Sequence, residues 1–253
     1  MLEGHSGKTR FLLKLVRQGW FRPIAKLIER ITIPGILLHY VLRKKCIAGL
    51  VSSALINGAT QVAIIGGGFD PLSFELQQEF PTAQFWEIDH PATQRHKVRA
   101  FSKIGVERVH FVEMDLSATA FDSEALIKSD FDPTQRVVWI AEGLLMYLTL
   151  DVVSSLMRTL KSLSASGSEF VFTFMEKQSG SRIRFDSQTK LVDWWLHGRS
   201  EPFLWGITRS ELVDLVHPWR VVRFFDHNDL RELGSGLADG SIARGEVICL
   251  AEA

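Results

Sequence analysis

Gln61–Asp70, QVAIIGGGFD, is the stretch on which the fold turns. Gln61–Ile65 is continuously apolar after its polar start and stops at three glycines, the pattern of a strand buried on both faces of a parallel sheet. Asp70 then suits a helix N-cap and Pro71 the first helical position, which predicts a helix over Pro71–Phe80. Working outward, short apolar runs alternate with helical patterns. Gln84–Ile88, Val109–Val112, Arg136–Ala141 and Glu169–Met175 read as four further strands. Leu150–Ser164 reads as a helix with Asp151 in its first turn and Leu156, Leu160 and Leu163 on one face. Strand–helix alternation of this kind predicts a right-handed, doubly wound α/β sheet. Arg220–Phe225 and Val247–Ala251 lack a long helix between them and are expected to form an antiparallel pair at the sheet edge.

The chain has 253 residues, 46% hydrophobic and 23% charged, an ordinary globular composition that excludes disordered and fibrous classes. Its two cysteines, Cys46 and Cys249, stand far apart, which excludes a disulfide scaffold and zinc-finger spacings and fits a reducing, cytoplasmic setting. No metal site is expected. Ile31–Leu42 is the longest candidate for a membrane span, and Pro34, Gly35 and His39 break it. Lys8, Arg10, Lys14 and Arg17 likewise interrupt any secretory leader. The zero net charge hides an asymmetry: residues 1–45 hold ten Lys and Arg against two acids, and the remainder holds 19 basic and 27 acidic residues. Such an arm can steer an anionic substrate, or it can be a helix with a solvated basic face, since Leu13, Val16, Trp20, Ile24, Leu27 and Ile31 fall at helical spacing. Nucleic-acid motifs are lacking. Arg182–Gly206, with Trp194, Trp195 and Trp205, reads as an irregular insertion near a site.

Gly66, Gly67 and Gly68 stand where open α/β sheets bind nucleotides, at the carboxyl end of a strand. The third glycine of G-x-G-x-x-G is replaced by Pro71, and a capping Asp70 would occupy the helix amides that a pyrophosphate needs. A cofactor with a cationic centre and no phosphate suits this loop better, and S-adenosylmethionine has that character. Asp89 at the end of the second strand can accept hydrogen bonds from ribose hydroxyls. Glu87 precedes it on the same face. Asp115 and Leu116 follow the third strand, where an adenine would rest, and Glu142 ends the fourth, across the switch point from the glycines.

Together Gln61–Asp70, Phe85–Lys97 (FWEIDHPATQRHK) and Trp139–Thr149 (WIAEGLLMYLT) resemble the leucine carboxyl methyltransferase-like family of class I methyltransferases. Weaker similarity runs from about Arg43 through Ser166–Ser168 to Pro202–Leu212. The resemblance implies a Rossmann-like sheet of seven strands with an antiparallel C-terminal pair, over residues 46–253, preceded by an N-terminal helical lid over residues 1–45. It implies S-adenosylmethionine as cofactor and S-adenosylhomocysteine as product. Gly66, Gly67 and Gly68 would line the methionine end, Asp89 with His90 the ribose, and Asp115 and Leu116 the adenine. Glu142 would face the cofactor from strand four, and Arg43 would meet its carboxylate with a two-pronged guanidinium. Three features depart from the family: Ala48 and Gly49 replace paired acids, Phe74-Glu75 replaces Tyr-Arg, and the segment ahead of Arg43 is short and basic.

The expected reaction is O-methylation of a small molecule, anionic if the arm steers it, by in-line displacement at the sulfonium. A carboxylate acceptor needs no base, whereas a hydroxyl would need one, with His197, His217 and Tyr147 as candidates; Tyr147 and Glu142 are the expected catalytic residues. Two alternatives stand beside this: a non-catalytic S-adenosylmethionine-binding protein and an NAD(P)-dependent oxidoreductase. A homodimer is open.

Overall fold

The computed structural model describes residues 29–102, 108–117, 120–177, 183–189, 203–235 and 240–253. Its centre is a seven-stranded sheet in the order β3-β2-β1-β4-β5-β7-β6. The strands are β1 (Gln61–Ile65), β2 (Gln84–Asp89), β3 (Val109–Glu113), β4 (Val137–Ala141), β5 (Glu169–Met175), β6 (Arg220–Phe225) and β7 (Glu246–Glu252). β1 is parallel to both β2 and β4, so the chain reverses its winding direction between β1 and β4 and opens a crevice there. β7 runs antiparallel to β5 and to β6, as expected for the C-terminal pair.

All five residues of β1 and of β4 are buried, because both faces of the sheet are covered. Alternate side chains feed different cores. Val62, Ile64, Val138 and Ile140 pack with Leu42, Ile47 and Val51 of α1 (Ile36–Ile56). Ala63, Ile65 and Trp139 pack on the other face with Leu156 and Leu160 of α5 (Leu150–Ser162). The remaining helices are α2 (Leu72–Glu79), α3 (Pro91–Ser102), α4 (Ser123–Ile127), α6 (Arg209–Val216) and α7 (His227–Leu233).

α5 begins where Thr149 accepts the Val152 amide, carries Asp151 in its first turn and ends two residues early because Leu163 becomes its C-cap. One cap differs from expectation. Pro71, not Asp70, is the N-cap of α2, so the helix starts at Leu72 and ends at Glu79. The Asp70 carboxylate nevertheless accepts the Leu72 amide at 3.1 Å, because Pro71 has no N–H of its own to offer.

Of the insertion around Arg182–Gly206, residues 183–189 and 203–206 are described and contain no helix or strand. Trp205 is buried there, its indole N–H donating to the Leu148 carbonyl at 2.7 Å. Trp194, Trp195, His197 and the helical spacing from Leu13 to Leu27 lie outside the described residues. Among the described residues no helix is long and apolar enough to cross a membrane, and no His, Cys, Asp and Glu cluster could hold a metal ion.

Candidate functional site

Two cavities meet at Gly66, at the carboxyl ends of β1, β2 and β4. The glycine loop separates them. Gly66 (φ +67°) donates its N–H to the Ile88 carbonyl at 2.8 Å, which ties the loop to β2. A Cβ at Gly66 would come within 2.9 Å of Leu144, so the close approach of that side chain requires glycine. Gly68 (φ +51°) donates its N–H to Asp89 Oδ2 at 2.6 Å, and a Cβ there would meet nothing within 4 Å. His90 donates its amide to Asp89 Oδ1, also at 2.6 Å. Both oxygens of Asp89 are thus oriented by backbone amides that follow directly from the strand ends.

The larger cavity, about 820 Å³, is bounded by Asp89, His90, Asp115, Leu116, Leu144 and Tyr147 among others. Asp115 sits in a turn in which Ser117 donates both its amide (3.0 Å) and its hydroxyl (2.6 Å) to Oδ1. His90 accepts the Ala92 amide on Nδ1, which leaves Nε2 to carry the ring proton toward Asp115 Oδ2, 3.5 Å away. Tyr147, in a 3₁₀ turn after β4, is exposed and lies 5.5 Å from the Phe203 ring.

The smaller cavity, about 340 Å³, is lined by Arg43, Lys44, Gly66, Gly67, Asp70 and Glu142. Here the geometry comes from ion pairs. Arg43 donates from Nε to Glu142 Oε1 at 2.7 Å and from Nη1 to Glu246 Oε2 at 2.5 Å. Lys44 donates to Glu142 Oε2 at 2.7 Å and also pairs with Asp70. Glu246 in turn pairs with the buried His39 at 2.9 Å. Burial alone would raise the Glu246 carboxyl, but Arg43 and His39 outweigh it and hold it at about 2. For Arg43, burial is outweighed by Glu246 and Glu142, which push its pKa up. For Lys44, burial wins over Glu142 and its pKa falls.

A third network lies underneath. Glu87 does not line either cavity. It turns into a buried pair with Lys97 at 2.5 Å, accepts from the Ser73 hydroxyl, and its carbonyl accepts from Gln94 at 2.7 Å. A Cβ on Gly67 would sit 3.6 Å from Lys97 Nζ, so this pair is the floor of the glycine loop.

Most residues singled out in the sequence converge here: Arg43, Gly66, Gly67, Asp70 and Glu142 on one side, and Asp89, His90, Asp115, Leu116 and Tyr147 on the other. His217 does not. It is exposed just ahead of β6, whose Arg220 pairs with Glu252 at the level of Glu169, the start of β5. That is the end of the sheet opposite the cavities, so His217 is excluded as a base. Lys44, Glu246, His39 and Lys97 were missed. Glu246 opens an apolar strand and His39 sits between apolar helix positions, yet nothing local marks residues 207 positions apart as partners. Ala48 and Gly49 line neither cavity, and Gly49 is exposed.

Comparison with known proteins bears on the family and the fold. A curated relative from Frankia alni, assigned by name to the S-adenosyl-L-methionine-dependent methyltransferases, is 31% identical over 154 residues, 60% of this chain and 53% of the relative. One from Mycobacterium bovis with the same assignment is 29% identical over 198 residues, 73% of this chain and 60% of the relative. The chain spans about half the length of the curated relatives it matches. Among solved structures, a DUF574 family protein of Streptomyces avermitilis superposes with a TM-score of 0.61 at 18% identity, covering 85% of this chain and 82% of the other. TehB from Haemophilus influenzae gives 0.53 at 15% identity, covering 81% and 61%. These structures share the fold. The leucine carboxyl methyltransferase family matches residues 14–161, more than half of the chain and every lining residue of the two cavities except Leu204, and the chain belongs to that family.

Proposed function

We propose that the chain uses S-adenosylmethionine to methylate an oxygen, carboxylate or hydroxyl, of a small molecule. The observation that supports this best is the pairing of two unlike cavities at Gly66. The one lined by Arg43 and Glu142 offers both charges to a zwitterionic amino acid end, and the one lined by Asp89, Asp115 and Leu116 suits a nucleoside. The open space at Gly68 beside an amide-oriented Asp89 leaves room for a ribose. At the start of α2 the Asp70 carboxylate takes the Leu72 amide, which disfavours a pyrophosphate and with it the nicotinamide alternative.

In this reading Arg43 binds the cofactor's carboxylate and Glu142 its ammonium, Asp89 with His90 holds the ribose, and Asp115 with Leu116 holds the adenine. Gly66, Gly67 and Gly68 let the backbone approach. Bound S-adenosylmethionine supplies an electrophilic methyl group on a cationic sulfur. Leu144 and Leu148 exclude water from the cleft, while Tyr147 and Leu204 wall the side from which an acceptor arrives. A reaction between an anion and a sulfonium loses charge and is favoured by such drying. Among the described residues lining the larger cavity, the titratable side chains are Asp89, His90, Asp115 and Tyr147. The first three belong to the nucleoside side, and phenols as a class are poor bases at neutral pH. A carboxylate acceptor, which needs no base, fits this described lining.

Residues 1–45 act in this proposal as a lid whose positive balance steers an anionic acceptor. A methyl-transfer assay should give product with carboxylic acids in preference to matched alcohols. Removing residues 1–28 should raise the acceptor KM and its salt sensitivity should fall, while the affinity for S-adenosylhomocysteine stays within about threefold. Turnover only on amines or thiols would overturn the oxygen assignment.

A further inference from the structure

We propose that the Lys44 ammonium is a built-in competitor for the cofactor's own ammonium, seated between Glu142 and Asp70 and displaced when the cofactor binds. The inference rests on the placement of the methionine end beside Arg43 and Glu142. Lys44 Nζ touches both carboxylates, at 2.7 Å from Glu142 Oε2 and in contact with Asp70, inside the cavity assigned to that end. In the proposed placement the cofactor's α-ammonium takes Glu142, the acid that Lys44 holds here. Glu142 and Asp70 are only 7% and 14% exposed, so their charges are strongly felt and a cation between them is well held.

The two neighbouring cations differ in what holds them. Arg43 is 10% exposed and is anchored from behind by the buried Glu246, so it stays in place. Lys44 is 42% exposed and reaches the acids from a flexible four-carbon stem, so its head can swing into water without unpacking the helix. Keeping both ammonium groups on these acids would set like charges side by side, with Arg43 already neutralising part of Glu142. One must leave, and the exposed one can. Burial already weighs against the charged form of Lys44 in this seat.

The sign of a single substitution tests this. If Lys44 instead binds the cofactor's carboxylate, its removal weakens binding; if it competes, removal strengthens binding. Calorimetry with S-adenosylhomocysteine on K44M and K44Q should show affinity rising about fivefold, the scale of a half-exposed ion pair that no longer has to be broken. 5′-Methylthioadenosine, which lacks the amino acid end, should bind wild type and both variants equally. Weaker or unchanged S-adenosylhomocysteine binding in folded K44M and K44Q overturns the proposal, as does an equal gain for 5′-methylthioadenosine. E142Q serves as the separate check on placement and should weaken S-adenosylhomocysteine at least tenfold. Unchanged binding by E142Q overturns the placement and this proposal together. Weakening by E142Q without a gain in K44M overturns this proposal alone.

Discussion

The two sides of Gly66 are built by different physics. On the larger side Asp89 and Asp115 are held by amides and hydroxyls one to twenty-one positions away, at the ends of adjacent parallel strands. On the smaller side Arg43, Glu142, Glu246 and His39 are held by charge pairs that join positions 99 to 207 residues apart. Backbone amides at strand ends stay put while the sheet is folded. Buried charges stay put only while every partner is present, because each has given up water and regains it only through its neighbours. The first side should therefore lose function locally when a residue is changed, whereas the second should couple binding to the stability of the whole domain.

The hardest test of this contrast is Arg43→Met. It leaves Glu246, 3% exposed, with His39 and the Thr173 hydroxyl as its remaining partners, and should cost about 3–5 kcal/mol in denaturant unfolding. A loss under about 1 kcal/mol would mean that water already reaches Glu246. Acid is the next lever. Glu246 has a folded pKa of about 2 against an ordinary 4.5, so its stabilisation is present above pH 4.5 and lost as the pH falls through 2. The amount is about 3 kcal/mol if the whole shift is realised, and Arg43→Met should flatten this limb of the stability–pH curve. Thermal melts at pH 2 to 5 would show it. Asp89→Ala should have the smallest effect on stability and act on binding instead. It removes charge-assisted hydrogen bonds worth about 1.5–3 kcal/mol, so S-adenosylhomocysteine affinity should fall about tenfold to a hundredfold. Unchanged titration curves for a folded Asp89→Ala protein would place the nucleoside elsewhere.

The same contrast explains what could be read in advance. β1 and β5 occupy Gln61–Ile65 and Glu169–Met175 as the apolar runs indicate, and β2 and β3 extend one residue further. Strands buried on both faces advertise themselves by composition alone. α2 starts one residue later than the sequence suggests because Asp70 and Pro71 are both good starters, and only the backbone at Pro71 (φ −83°, ψ 4°) shows which one caps. His217 looked eligible as a base because a sequence does not say which end of a strand a neighbouring residue occupies. Glu87 was rightly placed on the face of Asp89, yet its partner Lys97 could be found only by docking α3 beneath the loop.

What the sequence alone determined was the succession of strands along the chain, the glycine turn after β1, and the acids at the ends of β2 and β4. Each is a local consequence of residue type: apolar runs must be buried, glycines accept positive φ, and strands of a parallel sheet end in the loops that carry polar groups. Only the tertiary structure decided that Arg43 stands on Glu246, that Lys44 sits between Glu142 and Asp70, and that Lys97 braces Gly67. The first two join α1 to the loop after β4, to β7 and to the start of α2, and the third joins α3 to β2 beneath the glycine loop. A charge takes whichever opposite charge the packed helices bring within reach, and the distance along the chain does not enter that choice.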